Sequence, residues 1–518
     1  MATYKRKNVY SKGGTFSDPT LLWYARGVKA MNARKLDDAI SWRFYAAIHG
    51  FIATLWGKRG YWTSAETMPS GNLQSRFWNQ CQHGSWYFFP WHRGYLMALE
   101  KRIRAEVTKL GGPSDWALPY WNYFGPGNQN QLPPAFATPD WPDGKGDNPL
   151  FISQRYGPRD DGHVYVPQDQ VNLDAMAIPE FTGVSKAERG FGGLDTGFEH
   201  GGPTHGSLER QPHDTVHGLV GGQNPKSFAG GLMSDPNTAG LDPIFYLHHC
   251  NIDRLWEVWI QGSISQGNPT EDKWTIGPQL VGQRGFAMPQ SPAGDAWTYR
   301  PSDVADLSSL DYTYDDVSPA AEGGPVAAAL AAALPQARLR RLGAGAKAQG
   351  AAMATPKQSV ELVGANKEPL RITGRNEVHA SVQLDKIARR KVSASLAAAA
   401  AAETTAPDRV FLNLENVRGL HDATMFQVFV NERLADTVAL FGVSNATVAD
   451  GEHAGQGLNI VIDITKIVDE LHLNDAFDVN QLDIRILPLK HVPDEAQVSI
   501  GRISIFRQGQ AGTVAVRG

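Results

Sequence analysis

Six histidines in this chain stand at spacings that can hold metal. His213 and His217 are four residues apart, which puts both rings on one face of a helix. His248 and His249 are adjacent, about 100° apart around a helix axis, so only one of them can point where His213 and His217 point. Earlier in the chain His49 ends one apolar helical segment, His92 sits in the first turn of another, and His83 lies in the loop before it. Two three-histidine groups on four helices are what a paired-metal site in a helical bundle requires. Imidazole suits Zn, Cu, Fe and Ni. No carboxylate is embedded in either group to bridge two hard ions, and that favours copper.

Each residue also has a plainer reading. His49 could be a satisfied core histidine, His213 and His217 a surface pair, and Cys81 and Cys250 small buried side chains or two halves of a disulfide. His163, His200, His205, His379, His421, His453, His472 and His491 share no spacing and read as structural or exposed. Against the plainer readings stands the coincidence of six histidines on four helices flanked by aromatics, most densely in "CQHGSWYFFPWHRGYLMALE", residues 81–100.

The elements that must position these rings are legible. "SDPTLLWYARGVKAMNARK" carries Ser17 as an N-cap, with Asp18 and Pro19 in the first turn. "DDAISWRFYAAIHGF" is a second helix. "PWHRGYLMALEKRIRAEVTKL" is a long amphipathic helix from Pro90, stopped at Gly111. "PHDTVHGLVGG" and "DPIFYLHHCNIDRLWEVWIQ" are two more, while residues 124–205 read as Gly/Pro/Asn/Asp-rich loops.

After residue 316 the composition changes. "SPAAEGGPVAAALAAALPQARLRRLGAGAKAQGAAMATP" reads as a flexible linker. Beyond it, segments such as "RVFLNLENV", "TMFQVFVN" and "LNIVIDIT" alternate apolar and polar residues, as strands of a β-sandwich or small barrel do. The Ala run at 397–402 reads as a surface loop. The expected architecture is a mainly α domain over 1–316, a four-helix bundle core with long loops, then a linker over 317–355 and a small all-β sandwich over 356–518. Ten of the 15 histidines precede residue 250, so the chemistry belongs to the first domain.

The 518 residues carry 42% hydrophobic and 20% charged side chains, as ordinary globular chains do. The formal net charge of −4 gives no electrostatic reason to expect nucleic acid or an anionic membrane as a partner. No apolar run of about 18 residues is present to span a bilayer. The basic N-terminus lacks a following apolar stretch, so no signal segment is read there and a cytoplasmic location is expected. Two cysteines cannot make a disulfide framework.

Taken together, "SWRFYAAIHG", "CQHGSWYFFPWHRGYLMALE", "LERQPHDTVHGLVGG" and "DPIFYLHHCNIDRLW" resemble the type 3 copper proteins: tyrosinases, catechol oxidases and haemocyanins. "LPYWNY" (118–123) is similar to a segment between that family's two sites. "LDYTYDD" (310–316) is similar to the motif that closes its copper domain, and "FLNLENVRG" with "FQVFVN" resembles the domain that follows in plant enzymes. The resemblance implies that His49, His83 and His92 bind one copper ion (CuA), that His213, His217 and His249 bind the other (CuB), and that the pair binds O2 as peroxide. His248 is left beside the site.

The resemblance implies several further roles. Cys81 stands where many fungal enzymes and molluscan haemocyanins carry a thioether bond to the histidine ring, here His83. Glu209 matches a glutamate that holds a water near CuB. Asp214 departs from the Asn of many strong monophenol hydroxylases. It reads either as a water-orienting base or as an acid stabilising its own helix. "GGLMSDPNTAGLDP" contains no aromatic, so Gly218, Met233 and Pro236 imply an uncrowded substrate entrance. Phe441 reads either as a plug that the C-terminal domain inserts into the copper pocket or as a core residue of the sandwich. The implied activity is that of a tyrosinase on phenolic small molecules and O2, giving o-quinones, latent until the cap is displaced by cutting near Arg340 and Arg341. The alternatives are a catechol oxidase, an o-aminophenol oxidase, and a haemocyanin-like O2 carrier. Oligomeric state is not legible.

Overall fold

The computed structural model describes residues 4–144, 146–317, 335–343, 358–401, 407–448, 455–474 and 480–510. Helix α1 (Pro19–Asn32) begins one residue later than expected. Asp18 is its cap, accepting from the Thr20 N–H, because the Ser17 hydroxyl is engaged by Thr15. Helix α2 (Trp42–His49) is capped by Ser41. Helix α3 (Phe88–Lys109) runs for 22 residues, close to 33 Å at 1.5 Å per residue, with Pro90 in its first turn where a missing N–H costs nothing. Helix α4 (Thr215–Gly221) is short and stops at Gly222, whose φ of 64° only glycine takes readily. Helix α5 (Pro243–Gln261) is capped by Asp242, and all of its residues from Pro243 to Trp259 are buried. Together α2, α3, α4 and α5 form the bundle in which all six histidines are buried.

A buried ionic cluster locks two of these helices together. Arg93, next to His92 on α3, donates from Nε to Asp253 Oδ1 at 2.5 Å on α5, four residues after His249. Strands β1 (Tyr4–Arg6) and β2 (Tyr312–Tyr314) pair in parallel and bring both ends of the domain to this point. Arg6 bridges Glu100 and Asp253, and the Tyr312 hydroxyl donates to Asp253 at 2.7 Å. The pull of Arg93 and Arg6 holds the Asp253 carboxyl below the usual carboxylate range although burial opposes it. Breaking one partner of such a cluster leaves an uncompensated buried charge, at a cost of about 3–5 kcal/mol. "LDYTYDD" therefore closes the domain by chemistry as well as by position.

The C-terminal domain contains β3 (Gln358–Ala365), β4 (Leu370–Arg371), β5 (Val378–Leu384), β6 (Arg409–Arg418), β7 (Met425–Val430), β8 (Arg433–Ala439), β9 (Leu458–Asp463), β10 (Gln481–Pro488) and β11 (Ser499–Gln510). They form one nine-stranded sheet in the order β8-β7-β10-β5-β3-β11-β6-β9, with β4 on β11. The sheet curls until β8 and β9 approach, so it is barrel-like rather than two facing sheets, a difference that period-2 alternation cannot signal.

Helices also belong to this domain. The Ala run read as a loop ends helix α7 (Lys386–Ala400), as alanine's helix propensity favours, and Val392, Leu396 and Ala399 are buried beneath it. Most of the expected linker lies outside the described residues. Within it, helix α6 (Pro335–Arg341) is docked rather than free. Leu339 and Leu342 join the second core, and Arg338 donates two hydrogen bonds of 2.8 Å to Asp469.

Candidate metal centre

Three imidazoles converge between α4 and α5. His249 Nε2 lies 3.3 Å from both His213 Nε2 and His217 Nε2. The opposite nitrogens of the other two rings are tied down. His217 Nδ1 donates to the Met233 carbonyl at 2.7 Å, and His213 Nδ1 faces Asp214 Oδ1 at 2.9 Å and the Glu209 carbonyl at 3.1 Å. Between Glu209 and α4 the backbone departs from helix at Gln211, and this lets His213 and Glu209 face the same space. His248 lies within reach of the same group, its ring 4.9 Å from His217 and 5.4 Å from His213 between centroids, and it also packs on Tyr123 at 5.7 Å. The His249 ring stacks on His92 at 4.5 Å and so faces the other trio.

That trio is built alike. His49 Nδ1 donates to the Pro236 carbonyl at 2.7 Å and His92 Nδ1 to the Phe88 carbonyl at 2.8 Å. The Nε2 atoms of His49, His83 and His92 are buried without a hydrogen-bond partner, and the ligand nitrogens of each group lie within 4.8 Å of one another. With Nδ1–H donated outward, each anchored ring turns a bare Nε2 lone pair inward. Lone pairs that converge in a dry pocket repel unless a cation stands between them, so the donor set fits metal ions. Burial pushes the imidazoles down, His49 to about 3 and His83, His92, His213, His217 and His249 well below their ordinary value, so all stay neutral as ligands must. Protonation of the ligands is thereby moved to more acidic pH than the 6.5 of a free imidazole.

The aromatics of residues 86–91 wall this space. Phe88 touches His92 at 4.5 Å and His213 at 4.9 Å between centroids, and Trp91 stacks on Tyr95 at 5.1 Å. Cys81 Sγ sits 3.2 Å from His83 Nδ1 and also 3.2 Å from His200 Nδ1. Cys81 and Cys250 are both free, so no disulfide joins them.

Two carboxyls border the pocket. Glu209 accepts from the Gly84 N–H at 2.8 Å and the Gly206 N–H at 3.1 Å, and burial raises its carboxyl to about 7. Asp214 Oδ2 accepts from His205 Nδ1 at 2.7 Å. His205, read from the sequence as structural or exposed, is 5% exposed and belongs to this cluster.

The three entrance residues occupy a closed interface. Met233 and Pro236 are buried and contribute their carbonyls to His217 and His49. A Cβ on Gly218 would stand 2.7 Å from Met425 Sδ and 3.3 Å from Ala439 Cβ, both on the C-terminal domain. Phe441 follows β8, in a turn rather than a strand, and packs in the core of the first domain. Its ring stacks on His217 at 4.2 Å and 25° and stands edge-on to His83 at 5.4 Å and His213 at 5.7 Å. Polar contacts hold the cap around it. Arg210 pairs with Asp436 at 2.5 Å, Lys490 donates to the Gly157 carbonyl at 3.0 Å, and Asn237 donates to Asn445 at 3.1 Å.

Facing all-histidine trios in a helical bundle are a donor set for a pair of metal ions. Comparison with known proteins gives the family. The common central domain of tyrosinase matches residues 39–262, and a domain of unknown function (DUF7868) matches residues 359–508. A tyrosinase of Hahella sp. (strain CCB-MM4) is 31% identical over 97% of this chain and 99% of its own. A chloroplastic polyphenol oxidase of Malus domestica is 27% identical over 57% of this chain and 46% of its own length. Among solved structures, a latent apple tyrosinase superposes with a TM-score of 0.58 over 98% of this chain and 97% of that one, at 19% identity, a likeness of fold. The chain belongs to the tyrosinase family and is a copper-dependent oxidoreductase with a dinuclear centre.

Proposed function

We propose that the chain oxidises o-diphenols to o-quinones and o-hydroxylates monophenols with O2, His49, His83 and His92 holding one copper and His213, His217 and His249 the other. The observation that carries this reading is the pair of facing trios with an aromatic ring already stacked on one of them. The copper pair supplies the redox chemistry with dioxygen; the protein's part is position and proton handling. A phenol must lose a proton held with a pKa near 10. In this reading Glu209, raised to about 7 by burial, takes the phenol proton near neutrality. The Phe88 and Trp91 wall excludes water from the reacting ring. Oxygen uptake with tyrosine and with a catechol tests the reading. Turnover of both is expected. Catechol turnover alone would make the chain a catechol oxidase, preference for aminophenols an o-aminophenol oxidase, and no turnover after cap displacement an oxygen carrier.

Cys81 is positioned to clamp His83. A thioether bond would remove rotamer freedom from a ligand and keep the thiol off copper. If it forms in the copper-loaded protein, with O2 taking the two electrons and two protons as the S–H and a ring C–H are replaced by a C–S bond, the peptide holding Cys81 and His83 is lighter by two hydrogens. An unmodified mass with a titratable thiol would show that it does not.

Docking of the C-terminal domain keeps the enzyme latent in this reading. Since α6 is itself docked on the cap, cutting at Arg340 or Arg341 leaves the plug in place, and displacement of the whole domain is what activates. The docked turn after Phe441 is held by Asp422, which accepts from the Ser444 N–H at 3.2 Å. Burial, and then the nearby Asp235 carboxyl of the first domain, raises Asp422 to about 8. The docked state therefore binds this proton more tightly than the open state. Docking is unpenalised below the ordinary aspartate range and weakens as pH rises toward about 8. Activity of the intact chain is expected to climb from about pH 4 to about pH 8 and to level off above it, and Asp422→Asn to flatten that climb. A climb unchanged in the variant would exclude Asp422 as its source.

A further inference from the structure

Asp214 alone cannot explain the orientation of His213. A carboxylate one residue after its histidine rotates about χ2, and nothing on its own helix end holds the second oxygen. The structure supplies that hold from a distant loop. His205 Nδ1 lies 2.7 Å from Asp214 Oδ2, and Asp214 Oδ1 lies 2.9 Å from His213 Nδ1. The three groups form a relay that ends on a ring whose Nε2 faces His249 Nε2 at 3.3 Å. Both members outside the trio are buried, Asp214 at 3% and His205 at 5% exposure. The His205 backbone is itself fixed, because its carbonyl accepts from Arg189 Nη1 at 2.8 Å, and Arg189 is in turn bonded to the Asn459 carbonyl of the cap.

We infer that His205 is a positioning residue for the second copper site: its Nδ1–H pins Asp214 so that the other carboxylate oxygen sets the ring plane and tautomer of His213. A carboxylate hydrogen-bonded to a ligating imidazole fixes which nitrogen is free and raises its basicity. His205 decides whether that carboxylate is available. The inference rests on the copper reading above and adds a residue that neither spacing nor the trio itself points to.

Two variants of similar size separate a positioning role from a structural one. In His205→Asn the side-chain amide nitrogen takes the place of Nδ1 and keeps the donor to Asp214. In His205→Gln the amide reaches the place of Nε2 and loses it. Apo forms of the full chain are titrated with Cu(I) against a chromophoric chelator. His205→Asn is expected to stay within about threefold of the parent. His205→Gln is expected to lose roughly 10–100-fold affinity for one of its coppers, the other unchanged. If the two variants titrate alike while the parent binds two coppers, His205 is not a positioning residue and the copper reading stands. If the parent binds no copper, the copper reading itself fails and takes this inference with it.

Discussion

Replacing His249 by alanine is expected to remove one of the two coppers from the full chain and to take oxygen uptake with a catechol to background, while His248→Ala keeps both metals. The two residues are neighbours on α5, yet their surroundings differ. His249 Nε2 is 3.3 Å from two other imidazole nitrogens, and its ring stacks on His92 across the centre. His248 leaves the helix about 100° around its axis from His249, and its ring packs on Tyr123 at 5.7 Å between centroids. Losing an outer hydrogen-bond partner of a ligand costs roughly 10–100-fold in affinity, and losing the ligand itself costs more. Both positions are buried, so each alanine also costs stability, which thermal unfolding of the apo forms measures separately. Copper analysis after gel filtration decides between them. Equal copper loss in both variants would mean that His248 is a ligand too.

Phe441→Ala is expected to raise catechol oxidation by the intact chain by about 10–100-fold. Truncating a buried Phe costs about 3–5 kcal/mol. If one half of that falls on docking, the open fraction grows by one to two decades, at roughly 1.4 kcal/mol per decade. A second effect acts in the same direction, since the ring removed is the one stacked on His217. The gain should vanish once the cap is displaced, because parent and variant then present the same centre. An intact variant no more active than the parent would show that Phe441 fills space without blocking the pocket.

The sequence was informative where chemistry and periodicity coincide. The i, i+4 spacing of His213 and His217, the helix from Pro90 and the capped start of α5 at Asp242 all lead to the observed bundle. What it could not give depended on distant segments. His205 meets Asp214 only because a loop folds back over α4, and no spacing rule relates a loop residue to a helix start. The carbonyls of Met233 and Pro236 hold His217 and His49 through the backbone, a role that no side-chain pattern signals. The absence of aromatics in "GGLMSDPNTAGLDP" suggested open space, but the C-terminal domain fills it with Met425, Ala439 and Phe441. Curling of the sheet until its end strands β8 and β9 approach is likewise a long-range feature, while alternation along each strand is the same in a sandwich and a barrel. Docking of α6 turned on Leu339 and Leu342, two apolar residues in a stretch whose composition reads as linker.

Both trios hold copper in this reading, and the pair oxidises phenols. The measurement that tests it most directly is copper per chain, taken on the same sample as oxygen uptake with a catechol after displacement of the C-terminal domain. About two copper ions per chain, one for each imidazole trio, are expected together with sustained uptake. Fewer than two coppers, or two coppers with no uptake, would contradict it.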